Sequence, residues 1–396
     1  MVKKIIKNIA QMMHQADPKA CFAFEFWDCD VISFGDIPRA ILRMKTKSCA
    51  HNIIRKGFLG FGESYMKGDL EIENDMSELL RLGLAMGFDD YKLPLWQQFR
   101  FFILELLRRD TRRCAPKNIS YHYDRCDEFY PLYLDKTLTY SCAYFKESDD
   151  SLEQAQLNKY DHIARKLLLK PNETLLDIGC GWGGMLIFAA QEYGIRGVGN
   201  TLSKNQFKYA NHKIRELGLQ DNIKVLYQDY RELNGKFDKV VSIGMFEHVG
   251  KKFIPAFFQK VSDLLKTGGL GLLHTIGKDI PSPSDAWTLN YVFPGSYLPA
   301  LHEIAHEMGE TGLSILDIEN LRLHYAKTLE KWIENYERNI EKARELFDGA
   351  FLKRWRLFLN SSAAGFKYGE SRLFQILFSN GLNNTLPITR AHVYDE

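Results

Sequence analysis

A glycine-rich segment carries the first residues of this chain that could do chemistry. It reads Leu-Leu-Asp-Ile-Gly-Cys-Gly-Trp-Gly-Gly over residues 175–184. The apolar start predicts a buried strand, and the glycines permit a tight turn in which a ligand can approach the backbone. The letters also satisfy the G-x-G-x-x-G pattern of dinucleotide-binding loops, but a lone match of that kind is weak. The segment therefore predicts a nucleotide-containing ligand without deciding which one.

The acidic residue of this segment favours S-adenosylmethionine over a dinucleotide. Asp177 lies two residues before Gly179, where a carboxylate can meet the ammonium group of that cofactor. The next predicted strand ends Gly-Asn-Thr at residues 199–201, with no acidic residue to bind a ribose. That absence counts against both ligands, because sites for S-adenosylmethionine often have such a residue too. We expect Gln206, five residues further on, to reach the ribose instead.

Polar residues also follow the later predicted strands. Asp229 and Tyr230 follow the third strand and could meet an adenine, Glu247 follows the fourth, and His274 lies at the end of the fifth. Each of them alone is more typical of an ordinary structural role. Because ligands bind at the carboxyl edge of such sheets, their position at successive strand ends predicts one shared site.

The elements that position these residues alternate along the chain from residue 150 onward. Helices are predicted over 152–168, 184–193, 204–217 and 253–265, and strands over 174–178, 197–201, 224–228, 237–243 and 270–275. Strands separated by helices of 10–15 residues predict an α/β fold with a doubly wound parallel sheet. The last part, over 329–378, is predicted to be mostly helical and to cover the sheet.

The first hundred residues show a different pattern, which predicts a smaller α+β N-terminal domain. We expect a strand over 21–27, helices over 37–44, 76–86 and 95–109, a turn-rich connection over 60–69 and a linker over 114–120. The domains are therefore predicted at 1–115 and 116–396.

Composition excludes several classes of protein. The 396 residues include 52 Lys and Arg against 50 Asp and Glu, so no chain-wide basic field for nucleic acid exists. No apolar run approaches the roughly 18 residues of a membrane span, and no signal peptide is recognisable. The seven cysteines form no C-x-x-C pair, which argues against disulfides and a structural zinc site. We expect a cytoplasmic protein with reduced thiols and no metal.

Taken together, these motifs resemble the cyclopropane-fatty-acyl-phospholipid synthases. The matching strings keep the order and spacing of that family over residues 118 to about 380; they lie at 122–124, 140–145, 176–184, 201–203, 244–250 and 273–277. The resemblance implies a class I S-adenosylmethionine-dependent methyltransferase fold, which is Rossmann-like. The shorter mycolic-acid cyclopropane synthases share this core but lack an N-terminal domain. The first 115 residues therefore resemble the phospholipid-acting bacterial branch, in which that domain engages lipid and helps to form a homodimer.

The resemblance also implies a reaction and the residues that perform it. A cis double bond of an unsaturated phospholipid acyl chain attacks the sulfonium methyl group, and a bicarbonate ion deprotonates the resulting carbocation so that a cyclopropane ring closes. By motif, the ion is held by Cys142, Glu247, His274, Tyr325 and the backbone amide of Ile276. The cofactor is expected to contact Tyr140, Ser141, Asp177, Gly179, Gly181, Thr201, Leu202, Gln206, Asp229, Tyr230 and Ile243.

Two other functions stay open at this point. An enzyme of the same fold could leave a methyl or methylene branch instead of closing the ring. A non-catalytic lipid-binding protein could retain a vestigial cofactor site, although the intact glycine loop together with Cys142, Glu247 and His274 argues against it.

A substrate chain buried in a bilayer requires a surface that docks on the membrane, and one segment of the sequence has the composition for it. Residues 95–113 combine aromatic side chains with a cluster of arginines, which predicts peripheral docking on the inner face of the membrane. An ordinary buried helix that joins the two domains is the alternative interpretation.

Overall fold

Residues 1–86 and 128–394 are described by the structure, which is a computed structural model. The chain divides into two compact units. The first unit comprises Met1–Arg109, Pro283–Pro294 and Leu329–Glu370, and the second comprises Asp110–Ser282, Gly295–Thr328 and Ser371–Glu396. The predicted boundary at residue 115, the helix over 95–109 and the linker over 114–120 lie outside the described residues, and the division at residue 115 stays a prediction. Residues 329–370, which the sequence places in the C-terminal part, cluster with the first unit.

The N-terminal part of the first unit is built around a four-stranded sheet. Its elements are α1 (Val2–Ala16), β1 (Phe22–Glu25), β2 (Val31–Phe34), β3 (Ala40–Met44), α2 (Lys47–Lys56), α3 (Phe58–Lys67), β4 (Leu70–Asn74) and α4 (Met76–Ala85). The strand order is β2-β1-β3-β4, with β1 parallel to β3 and the outer pairs antiparallel. The predicted helix over 37–44 is wrong. Ala40, Leu42 and Met44 are buried alternately with half-buried neighbours, so the apolar period here is two.

The predicted turn-rich connection over 60–69 is also wrong, because most of it belongs to helix α3. Gly68 ends that helix in a left-handed conformation, but Gly60 and Gly62 serve close packing rather than turns. A Cβ on Gly60 would lie 2.1 Å from the carbonyl oxygen of Asn52 in α2, and one on Gly62 would lie 2.3 Å from the Trp287 ring. Only residues without a side chain allow these approaches.

From residue 152 to residue 277 the elements alternate as the sequence predicts, and further helices and strands that it did not place follow. They are α5 (Leu152–Lys166), β5 (Thr174–Ile178), α6 (Gly184–Tyr193), β6 (Arg196–Thr201), α7 (Lys204–Glu216), β7 (Ile223–Tyr227), β8 (Phe237–Ile243), α8 (Ile254–Leu264), β9 (Leu265–Gly277), α9 (Ala286–Tyr291), α10 (Leu301–Glu310), β10 (Leu313–Asn320), α11 (Arg322–Arg338), α12 (Ile340–Leu346), α13 (Gly349–Tyr368), β11 (Arg372–Asn380) and α14 (Ala391–Tyr394).

The second unit contains a mostly parallel sheet of seven strands in the order β10-β11-β9-β8-β5-β6-β7. Apolar residues of α5, α6 and α7 pack with Leu175 and Leu272 on one face. Residues of α8 and α10 pack with Leu176 and Leu273 on the other. Successive residues of a strand thus serve two cores, and the predicted doubly wound sheet is confirmed.

Strand β11 corrects the prediction that residues 329–378 are mostly helical. It runs antiparallel to both β9 and β10. All of its residues from Leu373 to Ser379 are buried, so it shows no alternation that would separate it from a buried helix. Beside it, β10 has an irregularity between Ile315 and Asp317, where one extra residue enters the strand.

Within the described ranges 1–86 and 128–394, no helix combines the length and the apolar character that crossing a bilayer requires.

Candidate active site

Three glycines of the loop after β5, at positions 179, 181 and 183, have left-handed backbone conformations. Gly179 has φ 79° and Gly181 has φ 56°, which favour glycine over any residue with a Cβ. Their surroundings differ. A Cβ on Gly179 would lie 2.4 Å from Cγ of Met245, whereas one on Gly181 would meet no described atom within 4 Å. Gly179 is therefore required by packing, and Gly181 leaves open space in which a ligand can contact the backbone.

Asn200, at the end of β6, ties this loop to the next strand. Its side-chain oxygen accepts a hydrogen bond from the Gly179 amide at 3.2 Å. Its side-chain nitrogen donates to the Gln228 carbonyl at 2.9 Å. The sequence shows only that no acidic residue stands here. The structure gives the reason, because the position needs a side chain that both donates and accepts.

Asp177, at the end of β5, is a buried carboxylic acid with one unsatisfied oxygen. Its Oδ1 has no hydrogen-bond partner among the described residues. Burial raises its pKa to about 7, although the charge of Lys159 opposes that shift. A buried acceptor without a partner is costly. The position therefore suits a ligand with a donating or cationic group.

Lys159 on α5 is a buried residue of this site that the sequence analysis missed. Its Nζ donates to Oγ of Ser141 at 3.0 Å. Burial lowers its pKa to about 7, against the attraction of Asp135, Cys142 and Asp177. Nothing in the sequence distinguishes this lysine from those on the exposed face of a helix.

The turn after β6 brings Gln206, which is predicted to reach the ribose, together with two other predicted cofactor residues, Thr201 and Leu202. The Thr201 hydroxyl donates to Oε1 of Gln206 at 2.7 Å, and it accepts from the Ser203 amide at 3.1 Å. The Ser203 hydroxyl in turn accepts from the Gln206 amide at 3.2 Å and caps α7. Leu202 lies within this turn and is half-buried. These bonds fix the buried Gln206 side chain in one orientation.

Asp229 and Tyr230, which are predicted to meet the adenine, lie after β7, and Ile243, another predicted cofactor residue, ends β8. The Asp229 carboxylate accepts two bonds from the Arg231 guanidinium, at 2.8 and 2.5 Å, a pair that the sequence did not reveal. The Tyr230 ring packs edge-on against Phe257, and burial raises the pKa of Tyr230 to about 12. Ile243 is paired with His274 across β8 and β9.

The segment that carries Tyr140, Ser141 and Cys142 is fixed to the start of α11. The Ala143 amide donates to the Thr328 hydroxyl at 2.9 Å, and the Phe145 amide donates to Nδ1 of His324 at 3.1 Å. The half-buried Tyr325 lies on the helix between these two anchors.

Cys142 itself is fully buried, and burial raises the pKa of its thiol above the usual range. Its Sγ donates to the Ala143 carbonyl at 3.1 Å. Because a thiol is nucleophilic as its thiolate, Cys142 is suited to donating a hydrogen bond rather than to attacking a substrate.

Glu247 lies in a short 3-10 turn (Phe246–His248) that follows β8. Its Oε1 accepts a hydrogen bond from the Ile276 amide at 2.6 Å, so these two predicted site residues are paired with each other. Its Oε2 is buried and has no partner in the described part of the chain. Burial raises the pKa of Glu247 to about 7, while the Ile276 amide opposes the shift.

His274 lies two residues before Ile276 on the same strand and is buried. Its Nδ1 lies 3.2 Å from Nε2 of Gln375, and its own Nε2 makes no hydrogen bond to any described residue. Burial lowers the pKa of His274 well below the usual range of an imidazole, so the ring is neutral. The carboxyl edge of the sheet thus holds a carboxyl group and an imidazole that each present one unsatisfied atom.

Comparisons with known proteins show which family and which solved structures this chain is similar to. Residues 110–376 match the family described as Mycolic acid cyclopropane synthetase, and residues 8–85 match a domain of unknown function (DUF7884). A probable fatty acid methyltransferase of Pseudomonas putida is 38% identical over 93% of this chain and 95% of its own length. The cyclopropane-fatty-acyl-phospholipid synthase of Escherichia coli K12 is 36% identical over 89% and 91%. The crystal structure of mycolic acid cyclopropane synthase CmaA1 with SAH and CTAB superimposes with a TM-score of 0.64 at 33% identity, covering 67% of this chain and 98% of that one.

Proposed function

This chain belongs to the mycolic acid cyclopropane synthetase family and is an S-adenosylmethionine-dependent methyltransferase, and we propose that it builds cyclopropane rings on unsaturated phospholipid acyl chains. The proposed substrate is a cis double bond within such a chain. The phospholipid follows from the name of the Escherichia coli relative, which shares most of its length with this chain.

One observation carries the proposal: Oε2 of Glu247 and Nε2 of His274 are both buried without a partner among the described residues. A buried acceptor and a buried ring nitrogen at one sheet edge fit a small ion that has both an O–H group and an oxyanion. Bicarbonate has both. Glu247 would accept its O–H, and the His274 ring would donate to an oxygen. The resemblance assigns the Ile276 amide to the ion, but in the structure this single N–H donates to Glu247. We therefore expect Ile276 to act on the ion through Glu247, by fixing the carboxyl group that accepts the O–H.

When bound, S-adenosylmethionine supplies an electrophilic methyl group and bicarbonate supplies the base that completes ring closure. The protein has to place that base close to a carbocation without being alkylated itself. Cys142 meets this requirement because burial keeps its thiol protonated. We propose that Tyr325 donates a further hydrogen bond to the ion and that the Cys142 S–H turns from the Ala143 carbonyl to the ion when it is bound. We also propose that the buried site excludes water.

The residues around the glycine loop fit the cofactor. The unsatisfied oxygen of Asp177 suits its ammonium group, and the open space at Gly181 lets it contact the backbone. Thr201, Leu202 and Gln206 form a turn that suits a ribose. We assign Asp229, Tyr230 and Ile243 to the adenine side and Tyr140, Ser141 and Gly179 to the methionine side.

A branched product is the second candidate. The Pseudomonas putida relative carries the name probable fatty acid methyltransferase, and its identity to this chain is 38%. Both reactions begin with the same methyl transfer, so the same cofactor residues serve either.

The membrane and oligomer assignments rest on the resemblance. We propose that the enzyme works as a homodimer in the cytoplasm and docks peripherally on the inner face of the membrane. Residues 95–113, which the sequence predicts to dock, lie outside the described residues.

The test is a product analysis. The purified protein is incubated with S-adenosylmethionine and vesicles of a phospholipid with one cis double bond, and the acyl chains are examined by mass spectrometry and proton NMR. A gain of one CH2 with loss of the alkene and appearance of ring-CH2 protons supports the proposal. The same gain with an alkene or methyl branch supports the second candidate. Unchanged lipid together with measurable cofactor binding would leave only a lipid-binding protein.

A further inference from the structure

A row of buried polar side chains crosses three strands of the large sheet. The register places Glu319 of β10 opposite Gln375 of β11, and Gln375 opposite His274 of β9. Residues paired in this way share one face of the sheet, here the face that α5 covers. Helix α5 adds His162 and Lys166 to the row. All five residues belong to the second unit.

Lys166 fixes the orientation of the Gln375 amide. Its Nζ donates to Oε1 of Gln375 at 2.9 Å and also to the Glu319 carboxylate. An ammonium group has only donors, so the amide oxygen must face Lys166. The amide nitrogen of Gln375 then faces His274.

The amide nitrogen in turn determines which ring nitrogen of His274 carries the proton. Nε2 of Gln375 lies 3.2 Å from Nδ1 of His274. An amide nitrogen can only donate, so Nδ1 has to accept. A neutral imidazole carries one proton, and it must therefore be on Nε2. This is the nitrogen that has no partner among the described residues.

We propose that Gln375 is a positioning residue that locks His274 in the Nε2–H tautomer and so presents a hydrogen-bond donor to the active site. The benefit of that donor for catalysis rests on the function proposed above, in which an oxygen of the bound ion accepts it. The tautomer itself does not depend on any ligand.

Glu319 keeps the far end of the row in place. Burial alone would raise its pKa, but the hydrogen bond from His162 and the charge of Lys166 hold it at about 2. His162 reaches the Glu319 carboxylate at 2.7 Å. The ionised Glu319 therefore stabilises the buried ammonium group of Lys166, which in turn orients the Gln375 amide.

Long-range proton–nitrogen NMR of the ¹⁵N-histidine-labelled protein, without cofactor, substrate or bicarbonate, reads the tautomer directly. The His274 signal is identified by its loss in the His274→Asn variant. We expect a protonated Nε2 and an unprotonated Nδ1 at neutral pH. A protonated Nδ1 in the unsubstituted protein would overturn the proposal, and this result needs no variant to fold.

The Gln375→Glu variant replaces the donor with an acceptor of the same shape. Lys166 holds the new carboxyl group ionised, so the proton of His274 should move to Nδ1. The matched control is Asn380→Asp, an amide-to-acid change on the same strand whose side chain bonds only the carbonyls of Ser262 and Leu265 among the described contacts. The control should leave the His274 signals unchanged. An unaltered Nε2–H state in Gln375→Glu would contradict the proposal.

Kinetics separate positioning from a merely structural role. Loss of one preorganised donor typically lowers kcat by about 10²–10³-fold. We expect that loss for Gln375→Glu, with the KM for S-adenosylmethionine within about two-fold of the parent. If the protein forms no cyclopropane but His274 has the expected tautomer, the proposed function fails alone. If the enzyme is active and the tautomer is the other one, only the positioning role fails.

Discussion

Two buried carboxyl groups, Asp177 and Glu247, lower the stability of the folded protein when they are ionised, because burial removes them from water. Burial raises the pKa of each to about 7, from ordinary values near 4. A raised carboxyl pKa favours the folded state below the ordinary value, and this contribution is lost as the pH rises through about 7. Above that pH both groups are ionised and buried. Binding partners for them should therefore stabilise the protein most on the alkaline side.

The Glu247→Gln variant tests the proposed ion site. A Gln side chain has one acceptor oxygen, so it cannot accept both the hydrogen bond from the Ile276 amide and the O–H of the ion. We therefore expect the rate of ring formation to fall by about 10²–10³-fold. Affinity for S-adenosylhomocysteine should stay within a few-fold, because Glu247 is assigned to the ion and not to the cofactor. Glu216→Gln, at an exposed carboxylate of α7, is the matched control. Turnover near that of the control would remove Glu247 from the mechanism.

The Asp177→Asn variant tests the cofactor site and its pH dependence. In the parent, affinity for S-adenosylhomocysteine should rise as the pH increases through about 7, because ionised Asp177 can pair with the ammonium group. Lys159 loses its charge over the same range and acts in the same direction. The variant should bind roughly 10- to 100-fold more weakly above neutrality, with a flatter pH profile. Isothermal titration on both sides of neutrality measures this, and equal affinities would place the ammonium group elsewhere.

At the scale of elements, the contact between α2 and α3 depends on a residue without a side chain. A methyl group at Gly60 would lie 2.1 Å from the Asn52 carbonyl, so Gly60→Ala should destabilise the first unit by about 1–3 kcal/mol. Gly309→Ala, in α10, is the control, because its Cβ would meet nothing within 4 Å. That change should stabilise its helix by roughly 0.5–1 kcal/mol. Thermal unfolding compares the two, and a Gly60→Ala protein as stable as the parent would refute the close contact.

The elements that the sequence predicts well are those with strong local signals. Strands β5 and β8 and helix α6 have the predicted bounds, since turns rich in glycine or polar residues delimit their apolar runs. Strand β11 was missed because both of its faces are buried, which removes the period of two. The helix predicted over 37–44 is wrong because the apolar residues there fit the period of 3.6 of a helix as well as the period of two of a strand.

In the candidate site, too, the residues that a short segment of sequence identifies could be predicted, and those placed by tertiary contacts could not. Asp177 and Gly181 could be predicted from one short segment, and Glu247 and His274 from their positions after strands. Gln375 and Glu319 could not, because their place beside His274 depends on the register of three strands that are distant in sequence. Lys159 was missed because burial of a lysine depends on which face of its helix meets the sheet.

For the whole molecule, the proposed substrate requires docking on a bilayer, and the sequence predicts that residues 95–113 make this contact. We expect changing Arg108, Arg109, Arg112 and Arg113 to Gln to weaken binding to anionic vesicles by orders of magnitude at low salt, because each basic residue contributes about 1 kcal/mol. These four residues lie outside the described part of the chain. Cofactor affinity should hardly change.

Vesicle co-sedimentation at two salt concentrations makes the measurement. A control with the same loss of charge replaces the exposed residues Lys170, Lys208, Arg215 and Lys224 with Gln. Equal binding by the two variants would show that net charge, and not this segment, determines docking.

Leu316, the extra residue in β10, marks a position where the chain can lose one residue without changing the pairing of the strand. Pairing with β11 skips Leu316, so the residues on either side of it keep their partners independently of its presence. Deletion of Leu316 would make the strand regular and would leave Glu319 opposite Gln375. Loss of a residue from the middle of β11 would instead turn one half of that strand over, because neighbouring side chains point to opposite faces. Among homologous chains, single-residue gaps should therefore accumulate at the position of Leu316 and be absent from the strand beside it.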